Sequence, residues 1–322
     1  MADAATVPSQ PADVPPLAAQ LVSLGKDIKL SHTVFALPFA LWAAVLAAGS
    51  ATRLPTWTEA LLIVLCMVLA RTFAMTVNRL ADARFDALNP RTAGRAIPAG
   101  RMTRRFAATT IAATALGFVI AAGGFWWFRD NAWPLLLSPL VLALVASYSF
   151  TKRFTALCHG VLGVALAASP VAAAIAIEPG YLTQPSVWLI AGFVAAWVAG
   201  FDVLYALADA EVDRELGLHA IPAKLGTAGA LWCSRGLHGL AIVALVFAVF
   251  TSPMLGLPTQ AAAAAVVGLL IAEHALVLRA VRRQASGQQL PGSPLLHHAF
   301  LTVNGIVSVL LGLAGMFDAW GG

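Results

Sequence analysis

Runs of about twenty consecutive apolar residues, recurring along nearly the whole chain, decide what this sequence can fold into. A helix rises 1.5 Å per residue, so about twenty apolar residues cross the roughly 30 Å of hydrocarbon in a bilayer. Inside that layer each backbone N–H and C=O must find its partner within the protein, and a helix meets the requirement within one segment. The runs therefore predict an all-α, polytopic membrane helical bundle. Nine spans are expected, near residues 30–50, 57–79, 104–127, 133–150, 157–177, 187–208, 229–250, 258–280 and 298–318. Composition agrees: 60% of the 322 residues are hydrophobic and only 11% charged, against about a quarter charged in soluble domains. A water-soluble enzyme is excluded.

The loops carry their positive charge on alternate sides. Arg79, Arg84, Arg91, Arg95, Arg101, Arg104 and Arg105 follow span two, Lys152 and Arg153 follow span four, and Arg282 and Arg283 follow span eight. The other loops hold only Arg53 and Arg129. Because short basic loops stay on the cytoplasmic side, the pattern predicts a cell (inner) membrane protein with its N-terminus in the cytoplasm and its C-terminus outside. An odd number of spans fits. The net charge of +5 is explained by topology and by the anionic headgroups of membrane lipids, so nucleic acid is not expected as a partner. Residues 1–25, rich in Pro and Ala at their start, read as a disordered cytoplasmic tail, and 26–322 as the transmembrane domain. Cys66, Cys158 and Cys233 stand singly, without metal-type spacing, and read as packing residues.

An acidic pattern occurs twice. Span two leaves the membrane through Asn78, Arg79, Asp82 and Asp86, and span six through Asp202, Tyr205, Asp209 and Asp213. Both contain D-x-x-x-D, 127 residues apart (209 minus 82) and four spans apart, so both emerge on the same cytoplasmic side. Two related four-helix halves followed by a final helix are the simplest arrangement. Residues four apart share a helix face, which gives two polar stripes, Asn78-Asp82-Asp86 and Asp202-Tyr205-Asp209-Asp213. Carboxylates this close repel unless a cation lies among them, and oxygen ligands suit Mg²⁺ shared with substrate phosphates. The bland alternative is a pair of ordinary water-facing helix ends balanced by arginines. Two copies on one side, with Asp202 about two turns inside a span where ionisable groups are costly, favour a diphosphate site.

Arg91, Arg95, Lys152 and Arg153 then suit phosphate oxygens. Arg101, Arg104 and Arg105 read as interfacial anchors. Arg71 lies two turns deeper than Asn78 on the same face of span two and should point into the bundle. Either a protein carboxylate such as Asp202 or Glu273 satisfies it, or it binds an acidic acceptor or a phosphate. His159, His274, Glu273 and Asn304 read as hydrogen-bonded packing. A transporter remains a rival reading, since polar residues in a bundle also mark ion pathways, but carriers place their sites near the midplane rather than at one face.

These residues resemble the UbiA superfamily of intramembrane aromatic prenyltransferases. Its signature N-D-x-x-D-x-x-x-D is matched by Asn78, Asp82 and Asp86, with Arg79 in place of the usual first aspartate. Its signature D-x-x-Y-A-x-x-D-x-x-x-D is matched in full by Asp202, Tyr205, Ala206, Asp209 and Asp213. The segment Arg91-Thr92 to Arg95 and the stretch Tyr148 to Arg153 also look like that family, and the likeness runs from about Lys26. It implies a helical ring around a central cavity, with Mg²⁺ held by Asp82, Asp86, Asp209 and Asp213 against the diphosphate of a polyprenyl donor. Arg79 implies fewer carboxylates in the first half-site and either a diphosphate contact or a role in holding the stripe. The acceptor implied is an aromatic acid. Asn78-Arg79-Leu80, His219 to Pro222 and Thr151 to Thr155 look like the 4-hydroxybenzoate polyprenyltransferase branch. More narrowly they look like its relatives that prenylate dihydroxynaphthoates in the futalosine route to menaquinone.

Overall fold

The computed structural model describes residues 14–28, 34–285 and 298–321. Their regular structure is helical throughout: α1 (Leu17–Ile28), α2 (Leu37–Ser50), α3 (Trp57–Leu88), α4 (Arg104–Arg129), α5 (Trp133–Thr151), α6 (Cys158–Ile177), α7 (Pro185–Tyr205), α8 (Ala210–Glu215), α9 (Ile221–Thr251), α10 (Leu257–Ala285) and α11 (Asn304–Gly321). The starts are written locally. Thr56 and Glu59 form a capping box on α3, Thr103 accepts from the Phe106 N–H to open α4, and α5, α7 and α9 each have proline in the first turn, where no N–H is needed.

Among the described residues, eight helices are long and apolar enough to cross a membrane. The first expected span is represented by the 14-residue α2, and residues 29–33 at its start lie outside those described. Although short, α2 passes from the end of the bundle that bears the acidic motifs to the opposite end, where Arg53 donates to the Ile177 carbonyl. Consequently α1 and the close of α11 lie at opposite ends, as an odd number of crossings requires. Of the expected tail, residues 1–13 lie outside the described residues, whereas 17–25, which the sequence reading placed in it, are helical.

Neighbours in the chain are neighbours in space: α3 packs on α4, α4 on α5, α5 on α6, α6 on α7, α7 on α9, α9 on α10, α10 on α11, and α11 returns to α2. That is a closed ring, with α2 leaning inward against α6. The first motif ends the second helix of one half and the second motif ends the second helix of the other, as duplication predicts. Burial is that of a membrane protein. Phe39, Trp42, Phe193 and Trp197 fill the interior, while Leu61, Leu116, Val243, Phe247 and Leu313 point outward into the apolar solvent. Trp57, Trp126, Trp127, Trp133, Trp188 and Trp320 are all exposed at the end opposite the acidic motifs, forming an interfacial aromatic belt.

Candidate active site

The end of α3 presents Asn78, Asp82 and Asp86 one turn apart, and each is engaged. Asn78 donates to Asp82 Oδ2 at 3.1 Å, Lys152 Nζ lies 3.1 Å from the same oxygen, and Arg153 is 3.5 Å from Oδ1. Arg95 donates to Asp86 Oδ1 at 2.7 Å, while Asp86 Oδ2 is buried without a partner. Across the mouth, Asp209 accepts from Asn89 at 2.9 Å and from Arg91 Nε at 2.7 Å, and a second Arg91 nitrogen reaches its other oxygen. Arg91 also donates to the Tyr205 hydroxyl and lies 5.5 Å from the centre of that ring. Burial opposes the Arg91 charge, but the hydrogen-bonded Asp209 carboxylate outweighs it and raises the guanidinium pKa above its ordinary value. The loop after α3 thus ties the first half of the ring to the second.

The second stripe differs from a continuous helical face. α7 ends at Tyr205, and Ala206–Asp209 tighten into a 3₁₀ turn before α8. The four residues of the stripe still line one cavity, but Asp202 faces another partner, accepting from His159 Nδ1 at 2.7 Å. His159 Nε2 accepts the Ile221 N–H at 3.2 Å, which fixes the tautomer that donates to Asp202. His159 is therefore a bridge between α6, α7 and α9 at the site, where the sequence reading had only packing.

Asn78, Asp82, Asp86, Arg91, Arg95, Lys152, Asp202, Tyr205, Asp209 and Asp213 converge on one polar cavity of about 190 Å³, joined by Asn89, Ser149 and His159. Three expected residues do not line it. Arg153 lies behind Asp82, donating to the Ala81 carbonyl between the rings of Phe85 and Phe150. Arg79 donates to Asn78 Oδ1 at 3.0 Å and lies 3.8 Å from Asp27 of α1, so it supports the stripe from the rear. Arg71 lines a second, apolar cavity of about 360 Å³ bounded by α2 to α6, among Met67, Met75, Phe118 and Leu144. Tyr148 and Leu162 line both cavities and mark their junction. Neither carboxylate named as a partner for Arg71 reaches it: Asp202 binds His159 and Glu273 binds Asn304. Arg71 Nε is buried without a hydrogen bond. A wider groove of about 500 Å³ opens among Arg129, Asn131 and Glu178 at the opposite end, away from the acidic motifs.

The family model described as "UbiA prenyltransferase family" matches residues 36–301. The chain belongs to the UbiA prenyltransferase family. A 4-hydroxybenzoate octaprenyltransferase of Ectopseudomonas mendocina is 31% identical over 230 residues, covering 71% of this chain and 73% of that one. The structure of a UbiA homologue from Aeropyrum pernix K1 superimposes with a TM-score of 0.76 at 30% identity, covering 90% of this chain and 98% of that chain. A UbiA homologue from Archaeoglobus fulgidus, solved with GPP and Mg²⁺, shares the fold with a TM-score of 0.66 at 19% identity, over 92% and 99% of the two chains. The protein is thus a multi-pass membrane enzyme, an aromatic prenyltransferase, and the transporter reading is set aside.

A divalent ion suits the donor chemistry of this UbiA mouth. No three of its carboxylates close around a single point. Mg²⁺ does not require that, since one or two carboxylates hold it together with substrate phosphates. The buried, unpartnered Asp86 Oδ2 and Ser149 Oγ beside the cavity leave polar capacity for such a ligand.

Proposed function

We propose that this enzyme transfers a polyprenyl group from polyprenyl diphosphate to the ring of an aromatic acid, 4-hydroxybenzoate, in quinone biosynthesis, with Mg²⁺ as cofactor. The observation that carries the reading is the pair of joined cavities: a mouth lined by paired acids and bases opens, at Tyr148 and Leu162, onto an apolar chamber whose one charged lining residue is the unpartnered Arg71. The diphosphate occupies the mouth, and the prenyl chain and the aromatic ring share the chamber. The acceptor carboxylate pairs with Arg71, whose fork fixes which ring carbon faces the donor.

Asp82, Asp86, Asp209 and Asp213 are the residues to hold Mg²⁺, which when bound neutralises the diphosphate and makes it a better leaving group. The protein's own groups do the remainder. Arg91, Arg95 and Lys152 each sit on a carboxylate at the mouth, and on donor entry they turn to phosphate oxygens and leave those carboxylates free. Asn78 and Asn89 orient Asp82 and Asp209. The allylic C–O bond then breaks at the junction, its electrons leave with the diphosphate, and the faces of Tyr148 and Tyr205 stabilise the cation. The ring carbon ortho to the phenol forms the new C–C bond, and the proton on that carbon passes to the released diphosphate. The mouth faces the cytoplasm, where the basic loops lie.

Purified enzyme in lipid, given polyprenyl diphosphate and Mg²⁺, should prenylate 4-hydroxybenzoate, read as product by mass spectrometry, and leave neutral phenols unreacted. A dihydroxynaphthoate offered in parallel ranks the two acids. Equal turnover of acids and neutral phenols would remove the role given to Arg71.

A further inference from the structure

His238 of α9 and Glu273 and His274 of α10 meet about half-way along both helices, His238 and Glu273 buried and His274 half-buried, and one donor atom of each lies within 4.8 Å of the others. The cluster is separate from the acidic mouth. Gly200, whose added Cβ would lie 2.5 Å from His238 Nε2, is nine residues before Asp209 (209 minus 200), which is about 15 Å along the axis of α7 and its 3₁₀ extension. None of the three residues lines either cavity of the active site.

What distinguishes the cluster from ordinary packing is the way its hydrogen bonds are divided. His274 Nδ1 lies 2.9 Å from the Leu270 carbonyl and so carries the proton, leaving Nε2 with its lone pair directed at the cluster. Glu273 Oε1 accepts from Asn304 at 2.7 Å, and Asn304 in turn accepts from the Trp197 indole at 2.8 Å, so one carboxylate oxygen is fixed from behind. The other, Oε2, is buried and has no hydrogen bond. Neither His238 nitrogen has one; Nδ1 is 3.9 Å from Glu273 Oε2, beyond hydrogen-bond reach. The Trp197 carbonyl lies beside the His238 ring, placed to take its remaining N–H. One atom each of Glu273 and His274 is thus held from outside, which is how metal-binding carboxylates and histidines are oriented, while Glu273 Oε2 and both His238 nitrogens are buried without hydrogen bonds.

We propose that His238, Glu273 and His274 form a second metal site, for a zinc-type transition-metal ion, that pins α9 to α10 within the membrane. Two imidazoles and one carboxylate suit such an ion better than Mg²⁺. Tetrahedral ligands of one ion at about 2.1 Å lie about 3.4 Å from one another, so donors that now lie within 4.8 Å close by up to about 1.4 Å on binding. Ser234 Oγ, 3.3 Å from His274 Nε2, stands at the fourth position. The ion satisfies the buried His238 and Glu273 together with the half-buried His274 and crosslinks α9 to α10.

The test is metal analysis of the full-length protein, purified in detergent with a tag that contains no histidine run. Wild type should retain about one zinc per chain after dialysis into Mg²⁺ buffer. Replacement by Co²⁺ should give visible absorption bands of tetrahedral cobalt that Zn²⁺ abolishes and Mg²⁺ does not. His238→Gln and Glu273→Gln should lose both signals, and Asp82→Asn should keep them. A wild-type protein with no stoichiometric transition metal and no cobalt bands overturns the proposal whatever the variants do. So does loss of the ion in Asp82→Asn, which would assign it to the mouth. Removal of the ion by a chelator should lower the melting temperature of wild type, and Zn²⁺ alone should restore it; no shift on removal overturns the crosslinking role.

Discussion

Asp209 is held from two sides by groups on the loop after α3, Asn89 and Arg91, and is the point where the two halves of the ring are tied at the mouth. Asp209→Asn keeps the side chain's size but removes the charge that both Arg91 and a divalent ion require. Turnover should fall about 10²-fold or more while the melting temperature changes little; near wild-type activity at saturating Mg²⁺ would remove the metal role from Asp209. Arg71 makes a separate prediction. Arg71→Lys retains a charge in the apolar chamber but loses the planar fork, so acceptor KM should rise about tenfold, roughly 1.4 kcal/mol, with donor KM nearly unchanged. A rise in donor KM instead would make Arg71 a phosphate residue. The acid residues and Arg71 were legible in the sequence because charge is conspicuous in apolar helices and because i, i+4 spacing fixes a face. His159 and Asn89 were not, since their partners Asp202 and Asp209 are 43 and 120 residues away and no local pattern announces the pairing. The triad of His238, Glu273 and His274 escaped for the same reason: two of its members adjoin, but the third comes from another helix.

The element that departs most from its sequence pattern is α7. Hydropathy runs smoothly into the second motif, yet the helix tightens at Ala206–Asp209, a change that depends on tertiary bonds from Arg91 and Asn89 and leaves no mark in periodicity. α1 was likewise absent from the reading, because it does not cross the membrane. It is anchored by Asp27, which accepts the Ala96 N–H at 3.0 Å and lies 3.8 Å from Arg79, and by Gln20, which accepts from Thr103. Arg79→Asp would restore the commoner motif but set two carboxylates face to face. That variant should expose Lys26 to trypsin and lower activity, and the swap Asp27→Arg with Arg79→Asp should recover both; rescue by Arg79→Asp alone, without the swap, would show that Arg79 does not hold α1. Helix contact sets a further expectation. A Cβ on Gly163 would lie 2.2 Å from the Ala195 carbonyl oxygen of α7, a backbone atom that cannot rotate aside. Gly163→Ala should therefore destabilise by about 1–3 kcal/mol as α6 and α7 are forced apart. Gly236→Ala, with nothing within 4 Å, should be neutral or gain up to about 1 kcal/mol from helix propensity. Equal melting temperatures for the two alanine variants would refute the close α6–α7 approach.

For the whole molecule, hydropathy gave the helical class and nine spans, of which eight are long helices among the described residues and the first is the short α2; the ring came from the family resemblance, and short connections oblige successive helices to lie side by side. The distribution of charge between the two ends is sharper in three dimensions than in the sequence. At the end opposite the acidic mouth, Arg53 and Arg129 are both bound to the buried Glu59, at 2.9 Å each, so that end presents a tryptophan belt with the charge of its two loop arginines partly offset. At the mouth end Arg84, Arg101, Arg104, Arg105 and Arg282 are exposed on the rim. With an anionic inner leaflet and insertion machinery that retains positive loops, the expected orientation of this bundle puts the mouth in the cytoplasm. The check is labelling of single cysteines in a background where Cys66, Cys158 and Cys233 are replaced by serine or alanine. Gly94 lies on the exposed loop of the mouth end and Thr183 on the exposed turn between α6 and α7 at the other. In intact spheroplasts a membrane-impermeant maleimide should modify Thr183→Cys at once and Gly94→Cys only after lysis. The reverse order would place the mouth outside, where a donor diphosphate made in the cytoplasm could not enter it, and would overturn the orientation while leaving the fold and the family untouched.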